Sequence, residues 1–183
     1  MGIIPPIDET DPTSLARSPY EMDIIKFVTM FALTPARIKI LRGFLLFRSA
    51  LALAGLSDGF QWIDGSFTEN IELIERRSPN DVDVVTFFNF QPGDDDQIVF
   101  GRNPDIFDQP LVKKGYLVDS YFENLQAPGA NLVARAAYWY SMWSHKRDLS
   151  WKGFIQIPLS PQLDDVAMAI LDSIEAGEVN NES

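Results

Sequence analysis

The sequence contains no cysteine, which excludes a disulfide framework, a zinc finger, an iron–sulfur site and a cysteine nucleophile, and agrees with a reducing compartment. A single histidine, His145, rules out a histidine-rich metal centre and leaves carboxylates as ligands, a donor set for hard cations such as magnesium rather than zinc or copper. Basic residues are scarce: 15 Lys and Arg stand against 26 Asp and Glu, a formal charge of −11. The averaged field of such a chain repels phosphate backbones and anionic lipid, so broad nonspecific binding to nucleic acid and attachment to a membrane surface are disfavoured. Long apolar runs are missing too. The most apolar stretch, Gly43 to Leu56, is interrupted by Arg48 and falls short of the roughly 20 residues that a spanning helix needs. Met1 to Pro6 carries neither a basic region nor a long apolar core, so no secretory signal is expected, and Pro6 stands where a myristoylation motif on Gly2 would need Ser or Thr. The chain reads as soluble and cytoplasmic.

What is present is an ordinary globular composition, 46% hydrophobic and 12% aromatic against 22% charged over 183 residues. That length and apolar content predict one domain over residues 1–183 with a sizeable core, and exclude a disordered or fibrous chain. Pro5, Pro6, Pro12 and Pro19 make residues 1–19 an extended arm or ordered loop. A helix is expected from Tyr20 to Ala32. Thr34-Pro35 then reads as an N-cap and first helical position, and Ile38, Leu41, Leu45 and Leu46 recur at helical spacing in a segment that ends near Gly55.

Phe60 to Asp64 predicts a strand broken by Gly65, with Ser66 suited to start a helix; Thr68 to Asn80 reads as a short helix running into a loop. Asp81 to Phe88 is a β-branched and aromatic strand on which Asp81 and Asp83 share one face through the period of two. Pro92 to Gln97 reads as a loop, Asp105 to Lys114 as a helix and Tyr116 to Phe122 as a strand carrying Asp119. Helical pattern returns from Pro128 to Trp143. A strand at Trp151 to Pro158 and a helix at Gln162 to Ala176 follow, and the polar residues 177–183 read as a frayed tail. The fold class is therefore α/β or α+β, a small mixed sheet flanked by helices.

Gly65-Ser66 after a strand, Asp81-Val82-Asp83 on the next and Asp119 on a third resemble the nucleotidyltransferase superfamily of polymerase-β type, and most of all its minimal bacterial members. The match covers residues 35–125; the connector Phe67 to Asn80 is at the long end for that superfamily, and the last third is not explained by it. The resemblance implies a polymerase-β-type core with helical additions at both termini. It further implies that Asp81 and Asp83 hold two Mg²⁺ ions and that Asp119 binds one of them and helps deprotonate an acceptor hydroxyl. The implied reaction moves a nucleoside monophosphate from an NTP to a hydroxyl of a protein or RNA acceptor. Several minimal members occur in toxin–antitoxin or phage-defence settings, so a cognate toxin or antitoxin is an implied partner.

The residues support such chemistry on physical grounds. Two carboxylates on one strand face repel each other, and a third nearby leaves protonation or a divalent cation as the remedies. Two ions held by such a cluster would clamp the attacking and leaving oxygens of a displacement at phosphorus. Backbone N–H groups at Gly65-Ser66, with the Ser66 hydroxyl, would face a phosphate tail. The plainer readings are a Gly-Ser turn, acids exposed by an edge strand, and Asp119 as a solvated strand acid in an unrelated α/β domain. Between the two stands a non-catalytic module, an antitoxin or regulator that keeps the acids and acts through a partner protein. Asp94-Asp95-Asp96 after Pro92-Gly93 reads as a solvated loop. Lys113-Lys114 reads as a helix end favoured by the dipole or as a triphosphate contact. Arg76-Arg77 would grip phosphate or keep a loop wet. His145-Lys146-Arg147, after the aromatic run Tyr138-Trp139-Tyr140 and Trp143, would follow a core stripe or line a nucleotide or acceptor site.

Overall fold

The computed structural model describes residues 4–181. Five strands, β1 (Tyr20–Glu21), β2 (Gly59–Asp64), β3 (Val82–Phe88), β4 (Val118–Asn124) and β5 (Ile155–Pro158), join in one sheet of order β1-β5-β2-β3-β4. Strand β2 runs antiparallel to β3 and β5, whereas β3 is parallel to β4 and β1 to β5. Seven α-helices are present among the described residues: α1 (Ile24–Phe31), α2 (Pro35–Leu53), α3 (Ile71–Ile74), α4 (Asp96–Arg102), α5 (Gln109–Tyr116), α6 (Gly129–Trp143) and α7 (Asp164–Asn181). The parallel β3–β4 pair requires a crossover, and α4 and α5 supply it. The mixed sheet flanked by helices is the expected class. No helix among the described residues is long and apolar enough to cross a membrane.

The two faces of the sheet are filled differently because the side chains alternate. Ile63, Val84, Ile155 and Ile157 meet Phe27 and Phe31 of α1, Phe44 and Phe47 of α2, and Leu171 of α7 in the larger core. On the other face Trp62, Val85, Phe87 and Phe154 pack under Trp139 and Trp143 of α6. Each such aromatic, fully buried, contributes about 1.5–3 kcal/mol of transfer free energy.

Thr34 caps α2 by accepting from the Arg37 N–H at 3.3 Å, with Pro35 as the first helical residue, as the sequence predicts. Leu46, however, is exposed, because the inward stripe runs through Leu41, Phe44, Leu45 and Arg48 and leaves Leu46 on the opposite side. The helix expected from Tyr20 begins later: Tyr20 and Met22 donate to Phe154 and Gln156 at the sheet edge, and Asp23 then caps α1. The expected 105–114 helix is split, since Asp108 caps α5 after a separate 3-10 turn at Pro104–Phe107. Asp96, placed in a loop by the sequence, opens α4.

Residues 4–18 fold back on themselves, with Ile7 paired to Arg17, and lie against Gly153, whose N–H donates to Ile4 at 2.6 Å. A Cβ at Gly153 would collide with the Pro5 carbonyl. The arm is thus an ordered loop. Helix α7 packs on α1 and α2 and runs to Asn181. Gly2 and the last two residues of the tail lie outside the described residues.

Arg48, which interrupts the most apolar stretch, is 2% exposed and donates to both Asp164 oxygens at 2.9 Å, to Gln61 Oε1 at 2.6 Å and to the Ser160 carbonyl at 3.0 Å. Gln61 passes the network to Thr86 at 3.0 Å, so one guanidinium joins α2, β2, β3 and the start of α7. Removing it strands a buried carboxylate. Arg48→Ala should therefore lower the unfolding free energy in urea by about 3–5 kcal/mol; a loss below about 1 kcal/mol would show that the network is not desolvated.

Candidate active site

Strand register assembles the acids. Asp64 pairs with Asp83 across β2–β3, and Asp83 with Asp119 across β3–β4, so three aspartates form one row over three adjacent strands. Asp81, two residues before Asp83, reaches the same cluster: the Lys113 ammonium of α5 lies 2.7 Å from both Asp81 Oδ2 and Asp119 Oδ2. The Gln109 side-chain amide, one turn earlier on α5, donates to Asp119 Oδ1. Burial, followed by the charges of Asp81, Asp119 and Asp64, pushes the Asp83 carboxyl up to about 7. Burial also raises Asp64 to about 6, against the pull of Lys152.

The turn after β2 is held close to this row. Gly65 has φ of +86°, and a Cβ there would collide with the Asp83 carboxylate, so both the backbone conformation and the approach demand glycine. Ser66 opens a single 3-10 turn, Ser66–Thr68, with Gly65 in the capping position and no side-chain cap. The serine is therefore not the cap of an α-helix, and the aligned dipole of a long helix is missing behind it. What remains for an anion is the Ser66 hydroxyl and the local N–H groups.

Two buried cations fix the turn. Arg37 of α2 donates to the carbonyls of Phe67 and Glu69 at 2.6 Å each and forks onto Glu72 at 2.6 and 2.8 Å. Lys152, just before β5, reaches Asp64 Oδ1 and Glu69 Oε1 at 3.0 Å and the Gly65 carbonyl at 3.4 Å. Lys146 adds a contact of 3.4 Å to Glu69. These elements enclose a cleft of about 720 Å³. Asp64, Asp81, Asp83, Asp119 and Ser66 line it together with His145, Lys146 and Arg147.

A model of one family matches residues 2–158. The chain belongs to DUF6932, a family of unknown function. None of the curated proteins and none of the solved structures matches it. The DUF6932 match ends with the last residue of β5, so it takes in all five strands, the acid row and Lys152, and stops short of α7.

Within this DUF6932 chain the sequence-expected residues sort clearly. Gly65, Ser66, Asp81, Asp83 and Asp119 come together, and His145, Lys146 and Arg147 join them on the cleft. Arg77 lines the rim but is paired with Glu75 at 2.7 Å. Lys114 and Arg76 are exposed and off the cleft, and Lys113 binds carboxylates instead of simply ending a helix. Asp94 and Asp95 lie in a loop at the surface, where Asp94 forks onto Arg102 at 2.5 and 2.6 Å and Asp95 caps α4, while Asp96 is exposed in the first turn of that helix. The aromatic run divides, with Trp139 and Trp143 in the core and Tyr138 exposed. Sequence reasoning missed Asp64, Glu69, Arg37 and Lys152. Only Asp64 had a signal, since it directly precedes Gly65-Ser66 on a strand that must pair with the one bearing Asp83.

The donor set fits a magnesium-type ion by its chemistry: oxygen ligands only, with charge repulsion at Asp83 that a divalent cation would relieve. As the side chains stand, no three acids among the described residues converge as metal ligands, and Lys113 lies between Asp81 and Asp119. Because Asp83 and Asp64 are both raised in the folded chain, their stabilising contribution is complete below the ordinary carboxylate range and is lost as pH rises through about 6 for Asp64 and about 7 for Asp83. Asp83→Asn removes a buried charge and should raise stability at pH 8 by about 2 kcal/mol, roughly half of what the full shift represents because the amide in its place is desolvated too, and should flatten the loss between pH 5 and 8. Urea titrations at several pH values would check this; an unchanged slope would mean that Asp83 is not strained.

Proposed function

We propose that the protein is a Mg²⁺-dependent nucleotidyltransferase with a polymerase-β-type core. It would move a nucleoside monophosphate from an NTP to a hydroxyl of a protein or RNA acceptor. The observation that carries this reading is the row of Asp64, Asp83 and Asp119, with Asp81 beside it, opening into the same cleft as the Gly65-Ser66 turn. Asp81, Asp83 and Asp119 would hold the metal, which when bound supplies Lewis-acid stabilisation of the phosphate oxygens. Ser66 would donate to the phosphate tail. Asp119 would accept the proton of the acceptor hydroxyl as its oxygen bonds to the α-phosphorus and pyrophosphate leaves. Lys146 and Arg147, with His145 beside them on the cleft, suit a polyanionic substrate and place positive charge there on a chain of net charge −11. A toxin–antitoxin or phage-defence role, with a cognate toxin or antitoxin as acceptor or partner, is compatible with a protein acceptor.

One observation favours a second reading, a non-catalytic module acting through a partner protein. Helix α6 leaves Val133, Tyr138 and Met142 exposed along with most of its length, more apolar surface than a lone helix on a sheet usually shows. Thermal unfolding with Mg²⁺ and each NTP separates the two. Ligand at 100 times its Kd adds about 2.7 kcal/mol, a rise of about 5–10 °C for a chain of this size. The catalytic reading expects that rise for at least one NTP, dependent on metal and absent in Asp83→Asn. No rise with any NTP would overturn it in favour of the binding module.

A further inference from the structure

Two ammonium groups face the acid row, and they differ in how they are held. Lys152 is 5% exposed at its side chain and spans Asp64 and Glu69, two groups on either side of the Gly65 turn, so it is part of the wall. Lys113 is 47% exposed at its side chain and reaches in from the solvent edge of α5. Among the described residues Asp81 and Asp119 are the two groups that hold its ammonium. It contacts two of the three carboxylates that the proposed function gives to a metal. Gln109, four residues earlier on the same helix face, holds the second oxygen of Asp119, so the carboxylate stays aimed at the cluster whether or not the ammonium is there.

Resting on that reading of the acids as a metal site, we propose that Lys113 is a displaceable counter-ion: it offsets one of the two negative charges of Asp81 and Asp119 in the metal-free chain and competes directly with a divalent cation for them. A metal ion and the Lys113 ammonium cannot occupy the space between the two Oδ2 atoms together, so metal uptake requires the lysine to leave. The ammonium is 47% exposed while Asp81 and Asp119 are 20% and 16% exposed, so the lysine regains water on leaving, and this sets the scale of the competition at about tenfold in metal affinity. Lys113 thereby lowers the repulsion in the cluster when no metal is bound, while leaving the site accessible to one.

The test is calorimetric titration of the full chain with MgCl₂ and with MnCl₂, without nucleotide. Lys113→Met should bind either ion about tenfold more tightly than wild type. Lys113→Arg, which keeps the charge, should stay close to wild type, and so should Lys114→Met, which removes a charge one residue away but off the cleft. Should Lys113→Met not fold, Lys113→Gln serves in its place. In parallel, the lysine ammonium resonances of the wild type should show the Lys113 signal losing its ion-paired position on addition of MgCl₂ while that of Lys152 stays. Metal binding that is equal or weaker in Lys113→Met, or a Lys113 resonance indifferent to MgCl₂, overturns the competition and leaves the metal site standing. Failure of every variant to bind either ion overturns both.

Discussion

The loop between β2 and β3 depends on one buried guanidinium. Arg37 is 1% exposed, and every group it meets belongs to the segment from Phe67 to Glu72. A segment with only a 3-10 turn and a four-residue helix has few backbone hydrogen bonds of its own and cannot hold a shape by itself. Arg37 completes the carbonyls that the short turns leave open, and Glu72 keeps the charge paired. Because α2 is the longest element of the larger core, the turn inherits the rigidity of that core. Gly65 can then sit against Asp83 at a separation that only a fixed loop would keep.

The sheet carries the rest. Antiparallel β2 and parallel β4 on either side of β3 bring residues far apart in the chain into one row, and the period of two puts that row on the α6 side, where the helix ends before covering it. The acids lie along the cleft, Asp64 buried and Asp81, Asp83 and Asp119 half-buried. This intermediate placement explains why burial lifts Asp83 and Asp64 yet leaves room for a ligand.

Much of this was legible in the residues and some was not. The Thr34-Pro35 start of α2, strands β2, β3 and β4, and helix α6 follow from local signals of capping, β-branched content and helical spacing. The meeting of Gly65, Ser66, Asp81, Asp83 and Asp119 follows from strand order, which the motif resemblance carried. Local pattern failed where long-range contacts decide. Tyr20 and Glu21 look helical but are drawn to β5, more than 130 residues away, by backbone hydrogen bonds that no local window contains. Lys152 stands alone in sequence, so nothing marked it as the partner of Asp64 and Glu69. Arg48 read as an interruption of an apolar run because its partners, Gln61 in β2 and Asp164 at the start of α7, belong to two other elements. Lys113 read as a helix end because the charge it serves lies on strands before and after its own helix.

The position of β4 has a consequence for how the molecule behaves among its own copies. The sheet has two open borders: β1, with two residues, is too short to template another strand, but β4, with seven, is long enough to recruit one. Along β4 the residues on the cleft side are Asp119, Tyr121 and Glu123, so an incoming identical strand would bring carboxylate against carboxylate. The carboxylate of Asp119 thus lies at once on the cleft and on the border strand of the sheet.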